Sequence, residues 1–247
     1  MGEYNIKVLN IMTSIPEGYE YTWYRSIKCK LCGDWIPIFS LGHYKSKLEG
    51  SDEFSKKIMF VHLYGDNKFI PYFFERLCTT YKEWFEPDKF AFDYICVIPS
   101  HKKDQINANL KYLAEEFGKF INVNYTPLLL RNREVSEQHK INKIEERLEN
   151  AKESISVNGN VKDKTILVLD NITTTGITIM VAHEALKQAG AKETIFIVLG
   201  LSSHFGIYND FDLNPNLKFR ARGIIEKFHS NKLSKEERDK HKSKINR

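Results

Sequence analysis

The chain has 247 residues, 42% hydrophobic and 28% charged, an ordinary globular balance with room for one large domain or one domain with small appendages. No apolar run approaches the ~20 residues a membrane span needs. The net charge of +5 is uneven: residues 220–247 hold 10 Lys/Arg and 4 Asp/Glu, a net +6 that leaves the remainder at −1.

The opening "MGEYNIKVLN" has no basic-then-apolar signal pattern, and Ile6 stands where a myristoylation site requires Ser or Thr. A cytoplasmic protein is expected. Residues 1–48 are mixed and aromatic, with "CKLCGDW" in their middle. Residues 67–85 predict a helix whose start is limited by Pro71. "DYICVIPS" (93–100) is a short apolar strand stopped by proline. The spacing of Ile106, Leu110, Leu113, Phe117 and Phe120 predicts a helix. "TPLLL" (126–130) is a second strand, and Ile141, Ile144, Leu148, Ala151 and Ile155 share one helical face. "TILVLD" (165–170) is a third strand, residues 177–189 a helix closed by Gly190, and "TIFIVLGL" (194–201) a fourth strand.

From residue 93 onward, strands and helices therefore alternate. The strands are apolar throughout, as parallel strands are when helices cover both faces. The expected fold is α/β, a doubly wound, mostly parallel sheet with a small N-terminal appendage. Ligands of such sheets bind beyond the carboxyl ends of the strands.

"TILVLDNITTTGIT" (165–178) lies at one of those ends. The first amides of a helix lack intrahelical partners and carry partial positive charge, which suits an anion. Thr174, Thr175 and Thr178 add hydroxyl donors, and Gly176 permits close backbone approach. Asp170 and Asn171, just upstream, would accept hydrogen bonds from sugar hydroxyls. The pattern asks for vicinal hydroxyls beside a phosphate, as in a ribose 5-phosphate. Neither a G-x-x-x-x-G-K-[ST] loop nor a G-x-G-x-x-G fingerprint is present. The bland alternative is a strand ending in Asp and followed by a threonine-rich cap.

"ILVLDNITTTGIT" resembles the phosphoribosyl pyrophosphate (PRPP) motif of type I phosphoribosyltransferases. "CKLC", "LGHYKSKL", "HLYGDNKFIPYFFERL", "VIPSHKKDQ", "LLLRNREVSEQHKINKIEERLENA" and "ALKQAGAKETIFIVLG" resemble, in order, segments of the competence-protein ComF-like branch, over roughly residues 29–201. The resemblance implies a transferase that displaces pyrophosphate from the ribose with a nitrogen nucleophile. It implies that Asp170 and Asn171 hold the ribose hydroxyls and that Thr173, Thr174, Thr175, Gly176, Ile177 and Thr178 cradle the 5-phosphate. It implies a pyrophosphate loop at Ser100, His101, Lys102 and Lys103, following Pro99, and Mg²⁺ carried on substrate oxygens. Arg147 and Asn150 would match an Arg-x-x-Asn element.

Three departures narrow that reading. Asn171 stands where the motif has a second acid, which removes a charge beside a developing cation and admits a second hypothesis: a PRPP- or nucleotide-binding accessory protein, without turnover, linked to DNA uptake or processing. Thr174 stands where purine-salvage relatives that protonate or deprotonate a purine ring nitrogen place an Asp. The third departure is in the cysteines. The branch has two cysteine pairs, whereas only Cys29 and Cys32 occur here. Structural zinc takes four ligands; His43 is a third and no fourth is evident, so two unbridged thiols in a turn are favoured over zinc. His101, His139 and His183 are read as non-catalytic, with His101 the one to watch.

The expected organisation is an N-terminal region (1–48) with a partial zinc-ribbon-like cysteine pair, a phosphoribosyltransferase-like domain (49–217) and a basic C-terminal tail (218–247). The expected small-molecule partner is PRPP. The tail reads first as a solvated helix and second as a contact for single-stranded nucleic acid. The acceptor is not specified, and the assembly is left open, a homodimer included.

Overall fold

Leu167 and Leu169 face one side of their strand while Ile166 and Val168 face the other, and all four are fully buried. This two-sided burial organises the computed structural model, which describes residues 23–46, 50–64, 67–85, 91–136 and 144–202. The basic tail, His139 and Ile141 lie outside the described residues.

The elements run β1 (Trp23–Lys28), β2 (Trp35–Ser40), β3 (His43–Tyr44), α1 (Glu53–Met59), α2 (Ile70–Trp84), β4 (Tyr94–Val97), α3 (Ala108–Ile121), β5 (Leu129–Arg131), α4 (Ile144–Ala151), β6 (Ile155–Val157), β7 (Thr165–Thr173), α5 (Ile177–Gln188) and β8 (Glu193–Ser202). The main sheet has the order β1-β2-β8-β7-β4, with β3 also on β8. Its β2–β8, β3–β8, β7–β8 and β4–β7 pairings are parallel, and only β1–β2 is antiparallel. The mixed α/β fold with a mostly parallel sheet is the one expected. No described helix is long and apolar enough to cross a membrane.

One face of the sheet is covered by α1, α2 and α3 through an aromatic layer that includes Phe54, Phe73, Tyr81 and Phe117. The other is covered by α5 through Ile179, Met180, Ala182 and Leu186. The helices begin where local chemistry dictates. The side chain of Asp52 accepts from the Ser55 N–H at the start of α1, and that of Asn107 from the Leu110 N–H at the start of α3. Pro71 sits in the first turn of α2, where its missing N–H costs nothing.

Four expectations meet a different structure. Residues 23–44, expected in an appendage, contribute three strands to the main sheet. The strand expected at 126–130 does not extend the parallel sheet. Tyr125 makes one isolated bridge to Ile95 on β4, and the chain then leaves at Pro127 to pair β5 antiparallel with β6; proline cannot donate to a ladder. Ile155, expected on the α4 face, is the first residue of β6, because the helix has ended at Ala151 and Glu153 takes a left-handed φ of 55°. Strand β7 runs three residues beyond Asp170, so Asn171 and Ile172 belong to the strand, with Ile172 opposite Gly200.

Candidate active site at the ends of β4 and β7

Strands β4 and β7 are parallel neighbours, and the chain leaves them toward opposite faces, into α3 after β4 and into α5 after β7. Divergent exits from adjacent parallel strands open a crevice at the carboxyl ends, where ligands of doubly wound sheets bind. Both predicted loops lie at this end of the sheet. The Ile98 N–H donates to the Leu169 carbonyl at 3.0 Å and ties the root of one loop to the strand of the other.

The β7 loop enters α5 through Gly176, which holds a left-handed φ of 74° as the residue before the helix. Such a backbone favours glycine. Gly176 has no side chain to satisfy the first-turn amides, which leaves them suited to an anion. Thr173 and Thr175 are buried, and Thr174 and Thr178 are half-buried.

Asp170 is 9% exposed. Its Oδ1 accepts from the Asn171 N–H at 2.8 Å. Burial pushes its carboxyl up to about 7, against opposing pulls from that N–H and from the Arg131 guanidinium. Asn171 is held within the protein. Its Oδ1 accepts from the Ile172 N–H at 2.6 Å, and its Nδ2 meets the Nδ1 of His62. His62 belongs to a wide helical turn, Phe60–Tyr64, that follows α1 directly. Asn107 and Asn109 anchor that turn by donating to the carbonyls of His62 at 2.9 Å and Val61 at 3.2 Å.

The β4 loop is closed by the Ser100 N–H donating to the Gln105 carbonyl at 2.8 Å, and the Lys102 N–H donates to Ser100 Oγ at 3.2 Å. Lys102 and Lys103 are exposed, and His101 is half-buried with its carbonyl accepting from Val135 N–H at 3.0 Å. Asp104 turns the chain with a left-handed φ of 54°. Beneath the loop lies Arg131, buried at the end of β5. Its Nε donates to the Ser100 carbonyl at 2.9 Å, its Nη2 to the Pro99 carbonyl at 3.3 Å and its Nη1 to Ser154 Oγ at 2.5 Å. Desolvation lowers its pKa to about 10, still a cation at neutral pH.

Residues 129–203 match the model of the phosphoribosyl transferase domain. The matched segment runs from β5 through β8 and contains the whole β7–loop–α5 unit. Solved structures similar to the chain include an allosteric regulatory enzyme of purine biosynthesis (19% identity, 47% of this chain and 24% of that one, TM-score 0.33). Others are the phosphoribosylpyrophosphate synthetase of Mycobacterium smegmatis (22%, 52% and 33%, TM-score 0.32) and the purine phosphoribosyltransferase of Pyrococcus horikoshii (16%, 57% and 79%, TM-score 0.35). The chain thus spans about a quarter and a third of the first two. No curated protein matches.

Arg131 and His62 were not singled out by the sequence. "LLLR" ends an apolar run in a cation, a usable sign that the charge serves a loop nearby. For His62 no local sign exists, since its contact with Asn171 spans 109 residues. Asn150 holds the segment that follows β5. It clamps Ser136, accepting from its N–H at 3.2 Å and donating to its carbonyl at 2.9 Å. His43, expected as a third zinc ligand, emerges with β3 beside Leu201, at the carboxyl end of β8. The cysteines precede β2 at the other end. A strand advances about 3.3 Å per residue, so His43 cannot join them.

Proposed function

We propose that the crevice binds PRPP and transfers its phosphoribosyl group to a nitrogen nucleophile, releasing pyrophosphate. The observation that supports it most is the β7–loop–α5 unit: a buried carboxylate, then threonines, then a left-handed glycine opening a helix at the carboxyl end of a parallel strand.

The 5-phosphate takes the amides of Gly176, Ile177 and Thr178 and the hydroxyls of Thr174, Thr175 and Thr178. Asp170 accepts from a ribose hydroxyl. Ligand hydroxyls that donate to the carboxylate, with Arg131 nearby, stabilise its ionised form and offset its desolvation. Arg131 holds the loop of Ser100, His101, Lys102 and Lys103 by two of its carbonyls, so the loop amides and lysines are placed to stabilise departing charge. Lone Asp170 fits a Mg²⁺ held mainly by substrate oxygens, since Mg²⁺ takes hard donors and few protein ligands. When bound, the ion neutralises the phosphates. Rate then comes from positioning and from charge stabilisation.

A second reading is favoured by Asn171. Both ends of its side-chain amide are engaged, with Ile172 and His62, and its neutral group offers no charge to an oxocarbenium-like state. This supports a PRPP-binding protein without turnover. Two measurements separate the readings. A rise in melting temperature with PRPP and Mg²⁺ is expected under both. Pyrophosphate release with a panel of bases and amines is expected only under the first. No melting shift with PRPP would sink both.

A further inference from the structure

Away from the crevice, the turn between β1 and β2 carries Cys29 and Cys32. The Gly33 N–H donates to the Cys29 carbonyl at 2.9 Å and the Cys29 N–H to the Asp34 carbonyl at 2.7 Å, with Gly33 at a left-handed φ of 80°. The turn packs on α5, where Cys29 Sγ lies 3.9 Å from the Met180 carbonyl. Three and four residues further along α5 stand His183 and Glu184, which a helix places on the same side as Met180.

The donor atoms of Cys29, Cys32 and Glu184 all lie within 4.8 Å of one another, and so do those of Cys32, Asp34 and His183, with Cys32 Sγ shared by both groups. His183 is 8% exposed. Its Nδ1 is 2.7 Å from Thr194 Oγ1, while its buried Nε2 has no hydrogen-bond partner. In the tautomer whose Nδ1–H donates to Thr194, the Nε2 lone pair is unused, the arrangement by which metal-ligating histidines are oriented. Glu184 repeats the pattern: Oε1 accepts from Gln188 Nε2 at 2.8 Å, and the buried Oε2 has no partner. An orphaned buried acceptor costs about 1–3 kcal/mol, and two on residues whose donor groups lie within 4.8 Å of Cys32 Sγ call for a common partner. Asp34 is otherwise committed, paired with Lys187 and only 3.7 Å from His183 Nε2.

We propose that Cys29, Cys32, His183 and Glu184 form a closed site for a zinc-type divalent ion. Two thiolates, an imidazole and a carboxylate suit a tetrahedral borderline-soft cation and disfavour Mg²⁺ or Ca²⁺. Two sulfurs on one zinc sit about 3.8 Å apart, from bond lengths near 2.3 Å; the donor atoms of Cys29, Cys32 and Glu184 already lie within 4.8 Å of one another, as do those of Cys32 and His183, so an ion joins the two groups through the shared Cys32 Sγ. The ion pins the β1–β2 turn to the helix that also carries the β7 loop. The proposal does not depend on PRPP.

The test is metal binding by the full chain under reducing conditions. Zinc is expected at one per chain, retained through dialysis, and Co²⁺ in its place should show thiolate-to-metal charge transfer and intense tetrahedral bands. Cys32→Ser should abolish both. His183→Gln and Glu184→Gln should each weaken Zn²⁺ at least tenfold in a chelator competition, and Thr194→Val, which leaves every ligand in place, by about 10–100-fold. Asp34→Asn should bind as wild type. Wild-type protein that neither retains zinc nor develops the Co²⁺ spectrum would overturn the site without recourse to a variant. Wild-type affinity in both His183→Gln and Glu184→Gln would overturn the ligand set.

Discussion

The two ends of α5 place polar groups against the same apolar core by different means. At its N-terminus the polar groups face a crevice. Asp170 is buried with its pKa raised, Gly176 holds a left-handed backbone, and Arg131 spends three donors on carbonyls and a hydroxyl of the surrounding loops. Toward its C-terminus they face another part of the same chain, where His183 and Glu184 present unpartnered atoms to the β1–β2 turn. At the first end the open capacity lies in first-turn amides that no cap side chain satisfies; at the second it lies in buried side-chain atoms of the helix itself. The two ends thus differ in whether backbone or side-chain groups of α5 are left to be satisfied.

The contrast is broken most severely at Arg131. Arg131→Met removes a buried cation and leaves the Pro99 and Ser100 carbonyls and Ser154 Oγ without a donor, although Ser154 Oγ still donates to the Ala151 carbonyl. A loss of roughly 3–5 kcal/mol is expected, read as a lower urea midpoint at unchanged m-value. Arg131→Lys should recover part of it.

Asp170 sharpens the contrast through pH. Its folded pKa of about 7 lies above the ordinary 3.8, so between those values the native state holds a proton that the unfolded state has lost. Stability contributed by the protonated form is therefore present below about pH 4 and lost as pH rises toward and through 7. Asp170→Asn should remove this fall and stabilise the unliganded protein by on the order of 2–4 kcal/mol at pH 8, at 1.36 kcal/mol per pKa unit. It should also reduce PRPP binding. A urea midpoint that does not change between pH 5 and pH 8 in wild type would show that the Asp170 carboxyl is not raised above its ordinary range.

At Gly176 the effect is smaller. A β-branched residue at a φ of 74° is strained by about 1–3 kcal/mol. Thr175→Val with Gly176→Val should keep the chain folded at reduced stability and abolish the melting shift with PRPP and Mg²⁺. A full shift in the double variant would place the ligand elsewhere.

The smallest effect on stability is expected at Asn171. Asn171→Asp adds a carboxylate beside His62. A charge-assisted hydrogen bond exceeds a neutral one by roughly 1–2 kcal/mol, about tenfold or more in rate. Pyrophosphate release should rise, or become measurable, with little change in melting temperature. A wild type that already turns over briskly, no slower than the variant, would remove the main support for the binding-only reading.

Local chemistry was legible in the sequence. Period-3.6 spacing located α3, the Gly190 stop bounded α5, continuous apolar runs located β4, β7 and β8, and "DNITTTGIT" marked the turn from β7 into α5 through residue types whose physics acts over a few neighbours. What the tertiary structure alone decided were contacts between distant segments. The Cys29–Asp34 turn meets α5 across some 150 residues, so no spacing rule could supply His183 or Glu184, and His43 looked nearer than it is. Strands β2 and β3 carry no signal that they join β8, nor β1 that it follows through β2, because strand pairing is set by which edges remain open once the chain has folded back. Arg131 beneath the β4 loop and His62 against Asn171 follow the same rule: a buried polar side chain is partnered through space, and its partners are known only when the chain has folded back to bring them there.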